Sequence, residues 1–87
     1  MRIPEKITYQ GRTVHVKSIG NPFFCQDRWG DYQKGKIRLA KRTPRWKKEE
    51  TFLHELIHMI DYRLEEKHVE RIASRLYKVL TQNKIYE

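Results

Sequence analysis

Two histidines four residues apart, with a glutamate directly after the first, stand in the segment TFLHELIHMIDY as His54, Glu55 and His58. On an α-helix, residues i and i+4 lie about 40° apart around the axis and one turn apart along it, so both imidazoles can reach a single ion. Glu55 projects about 100° away from His54, better placed to hold a water against that ion than to coordinate it. Such a set suits metal-assisted hydrolysis. Zinc lowers the pKa of a water toward about 7, and a carboxylate takes its proton and passes it to a leaving amine.

Catalytic zinc commonly takes three protein ligands and leaves one position open, so a third donor must come from elsewhere in the chain. The acidic candidates downstream are Asp61, Glu65, Glu66 and Glu70, and the histidine candidate is His68. Glu66, Val69, Glu70 and Ala73 follow helical spacing, so both glutamates flank the apolar stripe by which a second helix would pack on the first. Glu66 is the first choice as ligand. Glu70, one turn further on, is the alternative ligand, or an acceptor for the far nitrogen of a liganding histidine, a part open to Asp61 as well. His68 lies about 200° around the helix from Glu66 and cannot share its face.

These side chains need elements to carry them. Thr43-Pro44 offers an N-cap and a first-turn proline, and Trp46, Leu53, Ile57 and Ile60 then recur at helical spacing to about Tyr62. A second stripe of Val69, Ile72, Ala73, Leu76, Val79 and Leu80 predicts a helix over residues 65–81, after a break that contains neither Gly nor Pro. Upstream the period is two. Ile7 and Tyr9, then Gln10-Gly11, then Val14 and Val16 spell a β-hairpin over residues 6–18. Phe23 to Trp29 is expected to be extended and closed by a turn at Gly30-Asp31. The alternation Lys36, Ile37, Arg38, Leu39 predicts a strand with one solvated face, taken as a sheet edge. The fold class is therefore α+β: a short antiparallel sheet of about three strands followed by the HExxH helix and a C-terminal glutamate helix, forming a single domain over residues 1–87.

Composition limits the alternatives. Eighty-seven residues allow one core and exclude a large multi-step enzyme. The single cysteine, Cys25, can form no internal disulfide and has no partner thiolates for a metal site. A domain this small without disulfides often needs another staple, such as a metal. Tyr9, Phe23, Phe24, Cys25 and Trp29 are expected in the core. No apolar run is long enough for a membrane span and the first residues hold no signal-peptide core, so a cytoplasmic protein without membrane partners, and monomeric, is expected. Charge divides unevenly: residues 1–48 hold 13 Lys/Arg against 3 Asp/Glu, a net of +10, and residues 49–87 hold 6 against 8, a net of −2. The excess peaks between residues 34 and 48, at Lys34, Lys36, Arg38, Lys41, Arg42, Arg45, Lys47 and Lys48, where nucleic acid or an acidic partner could bind.

The stretch TFLHELIHMIDY followed by EEKHVERIASRLYKVL resembles the gluzincin-type zinc metallopeptidases, specifically the small ImmA/IrrE-like enzymes of phages and mobile elements. In that family an HExxH helix is followed by a glutamate helix of pattern E-x-x-A-N-x-F-A, whose places are taken here by Glu66, Val69, Glu70, Ile72 and Ala73. The resemblance covers about residues 43–82, with Val69 and Glu70 in place of the family's Ala-Asn and only seven residues between His58 and Glu66. It implies His54, His58 and Glu66 as ligands of one zinc per chain, Glu55 as general base and acid, and Glu70 where Asn or Asp supports a ligand. It also implies that the strand before the HExxH helix, here Lys36 to Lys41, forms the upper rim of the cleft and pairs with a protein or peptide substrate. The basic character of that strand points to an acidic or nucleic-acid-bound substrate. Tyr62, Tyr77 and His68 are the candidate oxyanion donors. Two other classes compete: a zinc-containing module whose basic N-terminal half binds nucleic acid or an acidic protein, and a metal-free interaction protein.

Overall fold

The computed structural model describes residues 2–20, 29–33 and 35–85. Four strands precede two helices: β1 (Lys6–Tyr9), β2 (Arg12–Ile19), β3 (Gly30–Gln33), β4 (Lys36–Ala40), α1 (Arg45–Ile60) and α2 (Glu66–Gln82). The class is α+β, as expected. Tyr9 pairs with Arg12 across the first hairpin, and Gln10 and Gly11 between them both take positive φ, 52° and 76°. A type I′ turn requires that combination, and its twist matches that of the flanking strands.

The sheet has four strands in the order β1-β2-β4-β3 and is mixed, because β2 runs parallel to β4 while the outer pairs are antiparallel. The expected sheet of about three antiparallel strands is thus corrected in strand number and in direction, because β2 and β4 pair in parallel, and two further expectations change with it. Gly30-Asp31 opens strand β3 and is no turn, and β4 is interior while β3 is the edge beside it. The charges of Lys36 and Arg38 mark a solvated face of the sheet, and a strand can have an open face while both its edges are paired. The extended segment expected at Phe23 to Trp29, with Phe23, Phe24 and Cys25, lies outside the described residues except for Trp29, which is exposed.

One face of the sheet is covered. Val14, Ile37 and Leu39 pack with Phe52 of α1, and Ile3, Ile7, Val16, Tyr32, Leu56 and Met59 surround them. The buried side of α1 thus runs through Phe52, Leu53, Leu56 and Met59, rotated from the expected stripe so that Trp46 and Ile60 are exposed. The rotation follows from β3 and β4, over which α1 lies. Helix α1 starts at Arg45 with Pro44 as its cap residue, and the Thr43 hydroxyl donates back to the Ala40 carbonyl, leaving the first turn without a side-chain cap. Helix α2 packs on α1 through Val69 and Ala73, both almost wholly buried, while Ile72, Leu76 and Val79 of the expected stripe are exposed. Burying a side chain such as Val69 stabilises by about 1.5–3 kcal/mol, and Ala73 one turn on is small enough to let the helix axes approach.

A second tie joins the two helices. Glu49 is buried and accepts a hydrogen bond from Tyr77 Oη at 2.7 Å and from Arg45 Nε at 2.9 Å. Burial, and then the neighbouring Glu49 carboxylate, push the Tyr77 phenol up to about 12.

Candidate metal centre

The two histidines face α2 near the C-terminal end of α1, and the connection that follows brings the third donor back to them. Asp61 ends α1, its N–H donating to the Ile57 carbonyl and its Oδ1 accepting from the Arg63 backbone N–H at 3.1 Å. A short polar side chain that bonds the backbone two residues on makes a tight turn without glycine or proline. Asp61 thus braces the turn, and no hydrogen bond joins it to an imidazole among the described residues. Glu65 takes an extended conformation and its carbonyl accepts from the N–H groups of His68 and Val69, so α2 begins at Glu66.

Glu66 lands against both histidines. Its Oε1 lies 2.6 Å from His54 Nε2 and its Oε2 2.9 Å from His58 Nε2, and the two Nε2 atoms are 3.1 Å apart. These separations approach the ~3.3 Å between neighbouring ligands on a tetrahedral ion with bonds of about 2.0–2.1 Å. The donor set points the same way. Two imidazole nitrogens and a carboxylate can each turn a lone pair toward one cation, so His54, His58 and Glu66 fit a metal ion, and they form a metal-sized group by distance among the described residues. At the first position of α2, Glu66 also sits where the helix dipole favours negative charge.

The cluster lies in a cleft of about 1020 Å³ between α1, α2 and the strand β3. Glu55 lines this cleft and is buried, 7% exposed, beside His54. Glu70 also lines it but is exposed and stands outside the three-atom group, and no hydrogen bond joins it to an imidazole among the described residues. Of the three candidate oxyanion donors only Tyr62 is in the cleft wall. Tyr77 is committed to Glu49, and His68 is exposed outside the cleft.

Other cleft residues carry no motif of their own. Lys47 precedes His54 by two helical turns and so shares its face, a relation helical periodicity could have exposed. Its ammonium approaches the rings of Trp29 and Trp46 at 5.8 and 6.0 Å. The opposite wall is β3, held close to α1 because Gly30 has no side chain: a Cβ there would meet the Arg38 carbonyl oxygen and Thr51 Cγ2, each at 2.7 Å. No spacing in the sequence reports that approach.

Comparison of the chain with family models, with curated proteins and with solved structures finds no match in any of the three. No helix among the described residues is long and apolar enough to cross a membrane.

Proposed function

We propose that this chain is a zinc-dependent peptidase, hydrolysing peptide bonds in a protein or peptide substrate with Glu55 as general base. The observation that carries the proposal is the convergence of His54, His58 and Glu66 in a cleft that also holds the buried Glu55. Zinc so held would polarise a carbonyl and lower the pKa of a water toward about 7. The remaining work falls to the chain itself. Glu55 takes a proton from the attacking water on its carboxylate and returns it to the departing amine nitrogen, so the water is consumed and the carboxylate regenerated.

Substrate alignment falls to β3 and not to the strand at residues 36–41. No strand among the described residues pairs with the outer edge of β3, and its main-chain groups can add an extended peptide as a further strand along the cleft. Lys36 and Arg38 belong to the opposite face of the sheet, and Arg38 is engaged by Asp31, so their charge does not select the substrate. With Glu55 and the ligand Glu66 set aside, because zinc would offset their charge, the cleft wall carries Glu50 and Glu70 against Lys47 among the described residues. Substrates with basic side chains near the scissile bond are therefore favoured, a reversal of the acidic substrate expected from the charge of the strand.

The test is cleavage of a mixed peptide library by zinc-loaded protein, read by mass spectrometry, beside Glu55→Gln. Cleavage by wild type that vanishes in Glu55→Gln, while both proteins hold zinc equally, is the expected result. Cleavage that persists in Glu55→Gln would remove Glu55 as the general base, and its absence from the zinc-loaded wild type would leave a metal-containing binding module.

A further inference from the structure

The sheet has a second face, and no helix among the described residues covers it. Cross-strand register sorts the residues. Val14, Val16, Ile37 and Leu39 point into the core, so their neighbours Lys6, His15, Lys17, Lys36 and Arg38 fall on the other side. Lys6, His15 and Lys36 stand directly opposite one another on β1, β2 and β4, and all three are exposed. Strands are about 4.8 Å apart, so this row spans about 10 Å. Lys17 and Arg38 form the next row, about 6.7 Å along the strands. Asp31 neutralises Arg38 through a two-pronged pair, Nε to Oδ1 at 2.9 Å and Nη2 to Oδ2 at 2.5 Å. Lys6, Lys17 and Lys36 have no such partner among the described residues. On the far side of the row Thr8 and Thr13 pair with each other and add two exposed hydroxyls.

We infer that this open sheet face is a binding surface for the phosphate backbone of duplex nucleic acid, separate from the metal cleft. The ammonium groups of Lys6, Lys17 and Lys36, with hydroxyls beside them, match the donors that contact phosphates. Its row-to-row spacing is about twice the ~3.4 Å rise per nucleotide along one strand of a duplex. Apart from the single imidazole of His15, no residue that register assigns to this face carries an aromatic ring, so it has no run of rings on which successive unpaired bases could stack. That favours a duplex over a single strand and makes binding independent of sequence. The surface stands whether or not the cleft hydrolyses peptides, because it shares no residue with His54, Glu55, His58 or Glu66.

The test measures binding of the full chain to a labelled duplex of mixed sequence by fluorescence anisotropy, over salt from about 50 to 200 mM. Three proteins are compared with wild type: Lys6→Ala/Lys17→Ala/Lys36→Ala, the same three sites changed to Arg, and Lys41→Ala/Arg42→Ala/Lys48→Ala. The two alanine triples have the same net charge, 8 − 3 = +5, so a general charge effect would act on both alike. Each phosphate contact contributes about 0.9 to the slope of log affinity against log salt. Loss of about 2.7 from that slope in the first alanine triple only, with the arginine triple like wild type, is the expected result. Wild type that does not bind at the lowest salt overturns the inference, as do equal losses in both alanine triples or tighter binding of a single strand of the same length. Because the arginine triple keeps the charge and changes the side chains, its loss of binding would also overturn it.

Discussion

Replacing Tyr77 by Phe removes one hydroxyl and tests how α2 is held to α1. In wild type the hydroxyl donates to Glu49 at 2.7 Å, and Glu49 is only 4% exposed. A hydrogen bond to a charged group contributes about 1.5–3 kcal/mol. The Arg45 partner of Glu49 is largely solvated, so it offsets little of the loss. Against a total stability of about 5–15 kcal/mol for a small domain, Tyr77→Phe should lower the melting temperature by roughly 6–24 °C. The pH dependence supplies an independent check. The Tyr77 phenol is pushed up to about 12, by burial first and then by Glu49, whereas an unfolded tyrosine titrates near about 10. A raised pKa in the folded state means that the stabilisation is fully present below about pH 10 and is lost as pH rises from about 10 to 12. Urea titrations across that range should show wild type losing a step of stability that Tyr77→Phe lacks. Zinc content should be unchanged, because Tyr77 lies three turns beyond Glu66. A shift in stability below about 0.5 kcal/mol, or the same loss in a Glu49→Gln background as in wild type, would refute the reasoning.

Other perturbations follow from the site and its scaffold. Gly30→Ala should destabilise by about 1–3 kcal/mol in urea titration, because its Cβ would meet a backbone oxygen and Thr51 Cγ2 at 2.7 Å, and Thr51→Ser should recover part of the loss. Glu70→Ala should retain the metal that Glu66→Ala loses, as measured by dialysis against the ion. Zinc at 100 times its dissociation constant should stabilise the fold by about 2.7 kcal/mol, an increment absent in His54→Ala and abolished by chelation. Gln10→Asn should raise stability by a few tenths of a kcal/mol in thermal melts, because Asn adopts positive φ more readily than Gln at a turn residue with φ of 52°.

Local chemistry was readable in the sequence where it depends on spacing along one element. His54 and His58 sit one turn apart on α1, and the flank position of Glu66 on the second apolar stripe was enough to prefer it over Glu70. Gln10-Gly11 announced the first hairpin. What spacing does not encode is which strands become neighbours. The charges of Lys36 and Arg38 reported an open face, and from them alone an edge strand could not be told from an interior one. The rim of the cleft is β3, a four-residue strand that begins with Gly30-Asp31, a pair whose local signal is for a turn. Pairing with β4 and packing against Thr51 override that signal. Helix phase slipped for a related reason: Ile60, Ile72, Leu76 and Val79 match the helical period but are exposed, since burial depends on which neighbour covers a face. The Glu49–Tyr77 tie spans 28 residues and has no sequence signature.

The proposed peptidase requires one zinc held by His54, His58 and Glu66. The most direct measurement is metal content by mass spectrometry of protein purified without added chelator, in wild type, His54→Ala and Glu66→Ala. About one zinc per folded wild-type chain and little in either variant is the expected result, given three protein ligands and one open position. A well-folded wild type without zinc that takes up none when the ion is supplied would contradict it.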